Sequence, residues 1–216
     1  MRWQVHWDHI GTPRDFPNST FVVGHGTLDV LEGKHAALRG SHSFFESDLL
    51  SGLKVIELPD PSPSPKDGNP PESQVGSSSP AITINLQGSW KPLDNLPAVM
   101  DVFGDGSLYI VDAPGHLPGH INLLARTTTK WVYLAGDACH DRRILDKSKA
   151  IGTWHDAHNK VCCIHADLAA AEATLERVRD LEGKGVEVIL AHDVEWENDV
   201  KNTGRFFGKG LPNLSN

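Results

Sequence analysis

Residues 4–9 read QVHWDH and concentrate side chains that bind metal ions. His6 and His9 offer imidazole nitrogens, and Asp8 offers carboxylate oxygens. Alternate residues of an extended segment point to the same side of the chain. If this segment is a strand, we expect Gln4, His6 and Asp8 to converge on one site. His9 would then turn inward where the strand ends, and the remaining ligands must come from later segments.

Three later segments share one arrangement, in which a possible metal ligand follows an apolar strand beside glycine or proline. They are IVDAPGHLPGH with His116 and His120, YLAGDA with Asp137, and VILAHD with His192. Strand ends project side chains into a shared cleft, where active sites concentrate. Each segment alone is more often a turn or a helix cap. Their joint occurrence with residues 4–9 predicts a metal site built from four parts of the chain.

Length, charge and cysteine content exclude several classes of protein. A chain of 216 residues is long enough for a single domain over 1–216 with a sizeable core. The net charge of −8 argues against a nucleic acid partner, because phosphate binding needs a basic patch. No apolar run approaches the roughly 18–20 residues of a membrane helix, and no signal-peptide core is visible. Three cysteines, two of them adjacent, do not suggest disulfides, so we expect a cytoplasmic protein without a membrane partner.

The order of the elements favours a layered α/β or α+β fold over a doubly wound sheet. Strands are predicted at 21–24, 53–58, 81–86 and 186–190, and a β-meander at 98–135 turns first at Gly104-Asp105-Gly106. Helical spacing predicts a helix from His165 to Leu181, with one buried face formed by Leu168, Ala171, Leu175, Val178 and Leu181. Residues 59–80 are rich in proline and serine and predict a low-complexity surface loop.

In combination, these segments resemble the metallo-β-lactamase fold hydrolases. The motifs of that family read HxHxDH, PGHxxGH, GD and a histidine after the last strand, and this chain has QVHWDH, PGHLPGH, AGD and LAHD. The segments at 44–48, 101–116 and 134–143 are most similar to a fungal branch related to lactonases. The resemblance runs from Gln4 to about Trp196 and implies a metallo-β-lactamase-type αββα sandwich.

The resemblance also implies a site for two metal ions. His6 and His116 would hold the first ion, Asp8, His9 and His192 would hold the second, and Asp137 would bridge them. His120 and His140 fall beside the ligands and would support them. Zinc suits this donor set, with iron or manganese also possible. The histidines that match no ligand position are expected to be structural or surface residues, and they are His25, His35, His42, His155, His158 and His165.

The implied chemistry is hydrolysis of a small-molecule substrate. A metal-bridged hydroxide, oriented by Asp8, would open a lactone or lactam, or cleave an ester or thioester, in detoxification or secondary metabolism. Two alternatives stay open, namely a truncated non-catalytic family member and an iron-dependent oxidoreductase on the same scaffold. Cys139 is expected to be a small buried residue. Arg142 and Arg143 are expected to be solvated, with contact to an anionic group as the alternative.

Two features depart from the family pattern. Gln4 stands where the motif has its first histidine, and a neutral amide oxygen is a weaker zinc ligand than imidazole, so we expect an impaired first metal site. Only three residues precede Gln4, whereas the family has several strands there. We therefore expect an N-terminally truncated chain that lacks part of its N-terminal sheet, and an oligomer that covers the exposed strands.

Overall fold

The computed structural model of the chain describes residues 4–35, 38, 42, 44–62, 84–86 and 88–205. The strands are β1 (Thr20–Val23), β2 (Lys54–Glu57), β3 (Lys91–Leu93), β4 (Leu96–Asp101), β5 (Leu108–Asp112), β6 (Ile121–Arg126), β7 (Trp131–Leu134), β8 (Thr153–His155), β9 (Val161–Cys163) and β10 (Glu187–Ile189). The helices are α1 (Trp7–Ile10), α2 (Thr27–Leu31), α3 (Arg142–Leu145), α4 (Leu168–Gly183) and α5 (Val194–Asn198). Short 3-10 turns occupy Pro13–Asp15, Gly136–Ala138 and Val200–Arg205.

The larger sheet has six strands in the order β10-β7-β6-β5-β4-β3. Strands β3 to β7 form an antiparallel meander, and β10 joins β7 in parallel. Gly104 and Gly106 have positive φ angles in the β4–β5 turn, where the Asp101 carboxylate accepts hydrogen bonds from both backbone amides. The predicted meander and its turn are therefore confirmed.

Helix α4 covers one face of this sheet. The Asp167 carboxylate caps its first turn by accepting a hydrogen bond from the backbone N–H of Ala170. Four of the five residues predicted for the apolar face are buried, and they are Ala171, Leu175, Val178 and Leu181. Leu168 is the exception, because it is only partly buried and faces a cavity beside the site. Burial of each large aliphatic side chain contributes about 1.5–3 kcal/mol, so this interface is a main source of stability.

A second, smaller sheet lies on the other face, where β1 and β2 pair in parallel. Val22 of β1 packs against Met100, Ile110 and Ile121 of the larger sheet. The neighbouring residues of β1 point away from that sheet and pack on Val30 and Leu31 of α2. The layers are therefore α4, large sheet, small sheet and α2, which confirms the predicted layered α/β class and its αββα sandwich.

The strand predicted at 81–86 is not formed where it is described, and the loop predicted at 59–80 is described only in part. Residues 84–86 form no strand, so that part of the 81–86 prediction is wrong, and residues 81–83 lie outside the described residues. The backbone N–H of Asn85 bonds to the carbonyl of Val102 at 2.8 Å, just beyond the end of β4. Of the predicted loop at 59–80, only 59–62 is described, and the assignment of 1–216 to one domain stays a prediction. Among the described residues, no helix is long and apolar enough to cross a membrane.

Candidate metal centre

The QVHWDH segment is not a strand throughout. It is extended only as far as His6, which caps α1, and the helix begins at Trp7. The predicted alternation through Asp8 is therefore wrong, because one helical turn replaces it. This turn places His9 three residues after His6, and its backbone N–H bonds to the carbonyl of His6 at 3.0 Å. Residues at this spacing lie on the same side of a helix, so the turn still directs both imidazoles to one site.

The turn that carries His116 is fixed by contact with helix α4. Gly115 has a φ angle of +122°, and a Cβ there would lie 2.2 Å from the backbone nitrogen of Ala171. The backbone N–H groups of Ala166 and Asp167 bond to the carbonyls of His116 and Gly115, both at 2.9 Å. Only glycine permits this approach, which explains the Pro-Gly-His sequence and holds His116 in place.

Asp137 and His192 follow two strands that are parallel neighbours, β7 and β10. Their carboxyl ends meet at one edge of the sheet. The backbone N–H of Ala135 bonds to the carbonyl of Ile189 at 2.8 Å, and that of Ala191 bonds to the carbonyl of Gly136 at 2.9 Å. The parallel pairing thus continues past the strands and brings Asp137 and His192 together.

The six residues predicted as metal ligands converge in two groups that share Asp137. One group contains Asp8, His9, Asp137 and His192, and the other contains His6, His116 and Asp137. Within each group, one nitrogen or oxygen atom per residue lies within 4.8 Å of the others. We call the group of Asp8, His9, Asp137 and His192 the outer group, and the group of His6, His116 and Asp137 the inner group. The outer group faces solvent, since the side chains of His192 and Asp8 are 41% and 29% exposed.

Asp137 lies at the centre of the cluster and is 2% exposed. Its Oδ2 atom is 2.9 Å from His9 Nε2, 3.3 Å from His116 Nε2 and 3.5 Å from His140 Nε2. Its Oδ1 atom is 3.4 Å from His192 Nε2. Burial acts to raise the pKa of Asp137, but hydrogen bonds from His116, His140 and His9 outweigh it and hold the pKa well below its usual range. The carboxylate is therefore ionised.

The inner histidines are neutral. Burial lowers the pKa of His116 to about 2 and that of His6 to about 4. The hydrogen bond to Asp137 raises the pKa of His9, so His9 offsets part of the charge of the carboxylate, while His6 and His116 do not. A buried negative charge is stable only when it is paired. Asp137 Oδ1 and Gln4 Oε1 are buried and receive no hydrogen bond from the described residues. This donor set fits a divalent cation, because neutral imidazole and ionised carboxylate are the forms that bind metals.

His120 and His140 both lie beside the two groups, but they are held differently. His120 is 1% exposed, its Nδ1 bonds to the carbonyl of Ala113 at 2.9 Å, and its Nε2 accepts from the backbone N–H of Asp137 at 3.2 Å. Both nitrogens are thus in use, so His120 positions the backbone of Asp137. The ring of His140 stacks on that of His192 with centroids 5.1 Å apart.

Gln4 lies inside the inner group and is 2% exposed. Its Nε2 donates to Asp137 Oδ2 at 2.5 Å and lies 3.0 Å from His116 Nε2. The amide therefore contacts both the Oδ2 side of the carboxylate and the ring of His116. The inner group is left with two imidazoles, those of His6 and His116.

Arg142 is only partly exposed and forms ion pairs, so it is not the solvated surface arginine that we expected. It donates to the Asp193 carboxylate, to Glu182 Oε1 at 2.6 Å and to the carbonyl of Val188 at 3.0 Å. Because the Asp193 side chain is only 2% exposed, this pair ties the turn that carries His192 to α3. Arg143 is exposed and pairs with Asp141, as expected for a solvated arginine. The thiol of Cys139 is buried and donates to the carbonyl of Asp141, also as expected.

Two histidines that match no motif also border the cluster. His42 and His165 are buried, as structural residues should be, but they pack on the inner group. The ring of His165 lies 5.3 Å from that of His116, and His42 stacks on His6 with centroids 4.9 Å apart. Both line a cavity of about 280 Å³ together with Leu38, Thr153, Val161, Cys162, Cys163, Ala166 and Leu168. No spacing in the sequence relates these histidines to the motifs, so only the packing reveals them.

Comparison with known proteins gives sequence relatives of several kinds, although no protein-family model matches. The cytochrome P450 monooxygenase mpaDE' of Penicillium brevicompactum is 30% identical over 213 residues, which cover 91% of this chain and 22% of the relative. The gamma-lactamase FDB1 of Fusarium pseudograminearum is 30% identical over 139 residues, which cover 62% of this chain and 27% of the relative. The chain thus spans about a quarter or less of the length of these relatives.

Solved structures match over a larger share of their own length than these sequence relatives do. An N-acyl homoserine lactone hydrolase, with the product N-hexanoyl-L-homoserine at its catalytic metal center, superposes with a TM-score of 0.54 at 17% identity. The match covers 91% of this chain and 56% of the hydrolase. At this level of identity, the likeness concerns the fold.

Proposed function

We propose that this chain, which has the metallo-β-lactamase fold of the lactonase-like hydrolases, is a metal-dependent hydrolase of small lactones or lactams. One observation carries the proposal. Six side chains from four separate segments converge in two groups on the buried carboxylate of Asp137. Such a convergence of imidazoles and carboxylates is typical of catalytic metal centres.

The two groups would hold two ions that share Asp137. His6 and His116 would bind one of them, and the outer group of Asp8, His9 and His192 would bind the other. Nitrogen and oxygen ligands of this kind suit zinc, which we propose as the metal. When bound, such ions would lower the pKa of a water molecule and polarise a substrate carbonyl.

The side chains around the metal site would orient the attacking water and keep bulk water away from the inner side of the site. Asp8 lies at the solvent-exposed edge, 3.4 Å from His192, where its carboxylate could accept a hydrogen bond from the attacking water. The inner side is closed by His116 and His120, which are 2% and 1% exposed. Substrate would therefore approach from the side of Asp8 and His192.

The substrate class rests on the relatives. The gamma-lactamase and the lactone hydrolase both carry names that describe cleavage of a cyclic amide or ester. Both bonds present an electrophilic carbonyl, so one site could serve either, and acyclic esters or thioesters would need the same chemistry. We propose that the binding partner is a small-molecule substrate. The oligomer expected to cover the N-terminal sheet stays a prediction.

A second candidate function is that of a non-catalytic family member with an impaired metal position. The hydrogen bond from Gln4 to Asp137 favours it, because the amide occupies the place of an imidazole ligand. Under this reading the outer group would bind one ion, and hydrolysis would be absent or weak. An iron-dependent oxidoreductase would have the same ligands and would be recognised by its metal and by oxygen consumption.

Metal analysis combined with a hydrolysis assay tests the proposal. The purified chain is loaded with zinc, dialysed, analysed for bound metal, and assayed with small lactone and lactam probes. We expect bound zinc and turnover, both lost in Asp137→Asn, while the exposed-site control Asp146→Asn keeps both. Zinc binding without turnover would favour the non-catalytic alternative, and the absence of zinc would reject the hydrolase.

A further inference from the structure

We propose that His42 is a positioning residue that fixes the orientation and the tautomer of His6 within the inner group. This inference rests on the proposed metal centre, and nothing in the sequence motifs indicates it. His42 comes from a segment 36 residues beyond His6 and is 3% exposed. Its role follows from which atom of each ring faces the other.

The two nitrogens of His6 face different partners. Nδ1 lies 3.1 Å from His116 Nε2, and therefore points into the inner group. Nε2 lies 2.9 Å from His42 Nδ1, and therefore points away from the inner group. A histidine that binds a metal through one nitrogen commonly donates the proton on its other nitrogen to a neighbouring acceptor. His42 Nδ1 is in the position of that acceptor.

Metal binding through Nδ1 of His6 would assign the protons of this pair. A neutral imidazole carries one proton, so a His6 that binds through Nδ1 must carry it on Nε2. That N–H can donate only if His42 Nδ1 is unprotonated, which places the His42 proton on its own Nε2. The opposite assignment would put a proton on His6 Nδ1 and block it as a ligand. A His42 with its proton on Nε2 therefore favours the one tautomer of His6 that can bind through the atom facing His116.

Packing adds a steric restraint to this hydrogen bond. The His6 ring stacks on that of His42 at an interplanar angle of 29°, and on that of Phe45 at 18° with centroids 5.6 Å apart. A ring in two such contacts has little freedom to rotate about its χ2 angle. His42 is not itself part of either ligand group, since the nitrogen nearest the cluster already faces His6.

The restraint on His6 matters because Gln4 leaves the inner group without a further imidazole. With only His6 and His116 to supply nitrogen, a wrong tautomer of His6 would remove half of the imidazole ligands. We therefore expect inner-group affinity to depend strongly on His42. Loss of such a partner typically lowers metal affinity by roughly 10–100-fold.

Three variants separate the hydrogen bond from the packing. His42→Phe keeps an aromatic ring but removes the acceptor, while His42→Gln offers an amide oxygen that can accept from His6 Nε2. His158→Gln is the control, because His158 is exposed and lies outside the cluster. Nitrogen-15 NMR of the metal-free proteins reports the tautomer of His6, and zinc titration reports the affinity of each group.

We expect His6 to carry its proton on Nε2 in the unmodified chain, in His42→Gln and in His158→Gln. In His42→Phe we expect a mixture of tautomers and a roughly 10–100-fold loss of affinity for one of two zinc ions. A proton on His6 Nδ1 in the unmodified chain would overturn the inference, as would a His42→Phe protein with unchanged affinity. If His42→Phe does not fold, the tautomer of His6 in the unmodified chain still tests the inference. Because the tautomer is measured without metal, a chain that binds no zinc would reject the proposed function separately.

Discussion

The amide nitrogen of Gln4 lies 2.5 Å from the Oδ2 atom of Asp137, which is 133 residues away in the sequence. This contact joins the first motif of the chain to the residue shared by both ligand groups. An amide N–H can stabilise the ionised carboxylate, but it supplies no nitrogen lone pair to a metal ion. Within the inner group, Asp137 thus has an amide as its neighbour, and the imidazole nitrogens come from His6 and His116.

Replacing Gln4 with histidine should strengthen the inner group. Gln4→His would add an imidazole beside His116 and Asp137, and we expect zinc affinity to rise by about tenfold or more, by comparison with the cost of losing a supporting partner. Isothermal titration with zinc measures the change, with Gln4→Ala as the matched control that removes the amide without adding a ligand. Equal affinities for Gln4→His and Gln4→Ala would mean that this position does not face a bound ion.

Loss of the Arg142–Asp193 pair should destabilise the protein strongly. In Arg142→Leu the Asp193 carboxylate stays buried without its cation, which costs about 3–5 kcal/mol for a buried pair. Arg143→Leu is the control, because Arg143 pairs with Asp141 at an exposed position and little change is expected. Urea unfolding of the two variants compares them directly. Similar stabilities would show that the Asp193 turn is not held by Arg142.

His120 should contribute stability through its two hydrogen bonds rather than through metal binding. In His120→Phe the carbonyl of Ala113 and the N–H of Asp137 would be left buried and unpaired, at a cost of about 2–4 kcal/mol. Chemical denaturation of the metal-free protein measures this cost, and the exposed His155→Phe serves as control. A metal-free His120→Phe protein as stable as the control would contradict the assigned hydrogen bonds.

Asp112 should make the stability of the fold depend on pH. Burial raises the pKa of Asp112 from 3.8 to about 6. The folded chain therefore keeps this proton when the unfolded chain has lost it, and the free energy of unfolding falls as the pH rises from about 4 to about 6. Asp112→Asn removes the cost of the buried charge, so it should stabilise the protein by about 2–3 kcal/mol above pH 6.

Denaturation at pH 3.5 and pH 7.5 provides the comparison for Asp112→Asn. At the lower pH both side chains are neutral, and the two proteins should be equally stable. A stabilisation of the same size at both pH values would mean that the variant acts through packing and not through the charge.

The elements that carry a strong local pattern could be predicted from the sequence. The β-meander has a Gly-Asp-Gly turn, and α4 has an apolar face at helical spacing, so each is specified by its own residues. The strand predicted at 81–86 is absent over 84–86, where Asn85 bonds to Val102 just beyond the end of β4 and pairs with no strand among the described residues. Local hydrophobicity predicts a strand, but pairing decides whether one forms.

The convergence of the six residues was also predictable, because three of them lie in short motifs that follow a strand and the other three lie in the QVHWDH segment. The helix at Trp7 was not, since four residues are too few to show a helical period. His42 and the Arg142–Asp193 pair were likewise hidden. Their roles depend on side chains that meet only in the folded chain, and neither spacing nor composition encodes such contacts.

The most direct test of the metal centre is anomalous X-ray diffraction at the zinc absorption edge, from crystals of the chain grown with zinc. We expect an anomalous peak about 2.0–2.2 Å from ligand atoms of Asp8, His9, His192 and Asp137, with a weaker second peak between His6 and His116. Crystals that show no peak at Asp137, with the carboxylate still bonded to Gln4, would contradict the account.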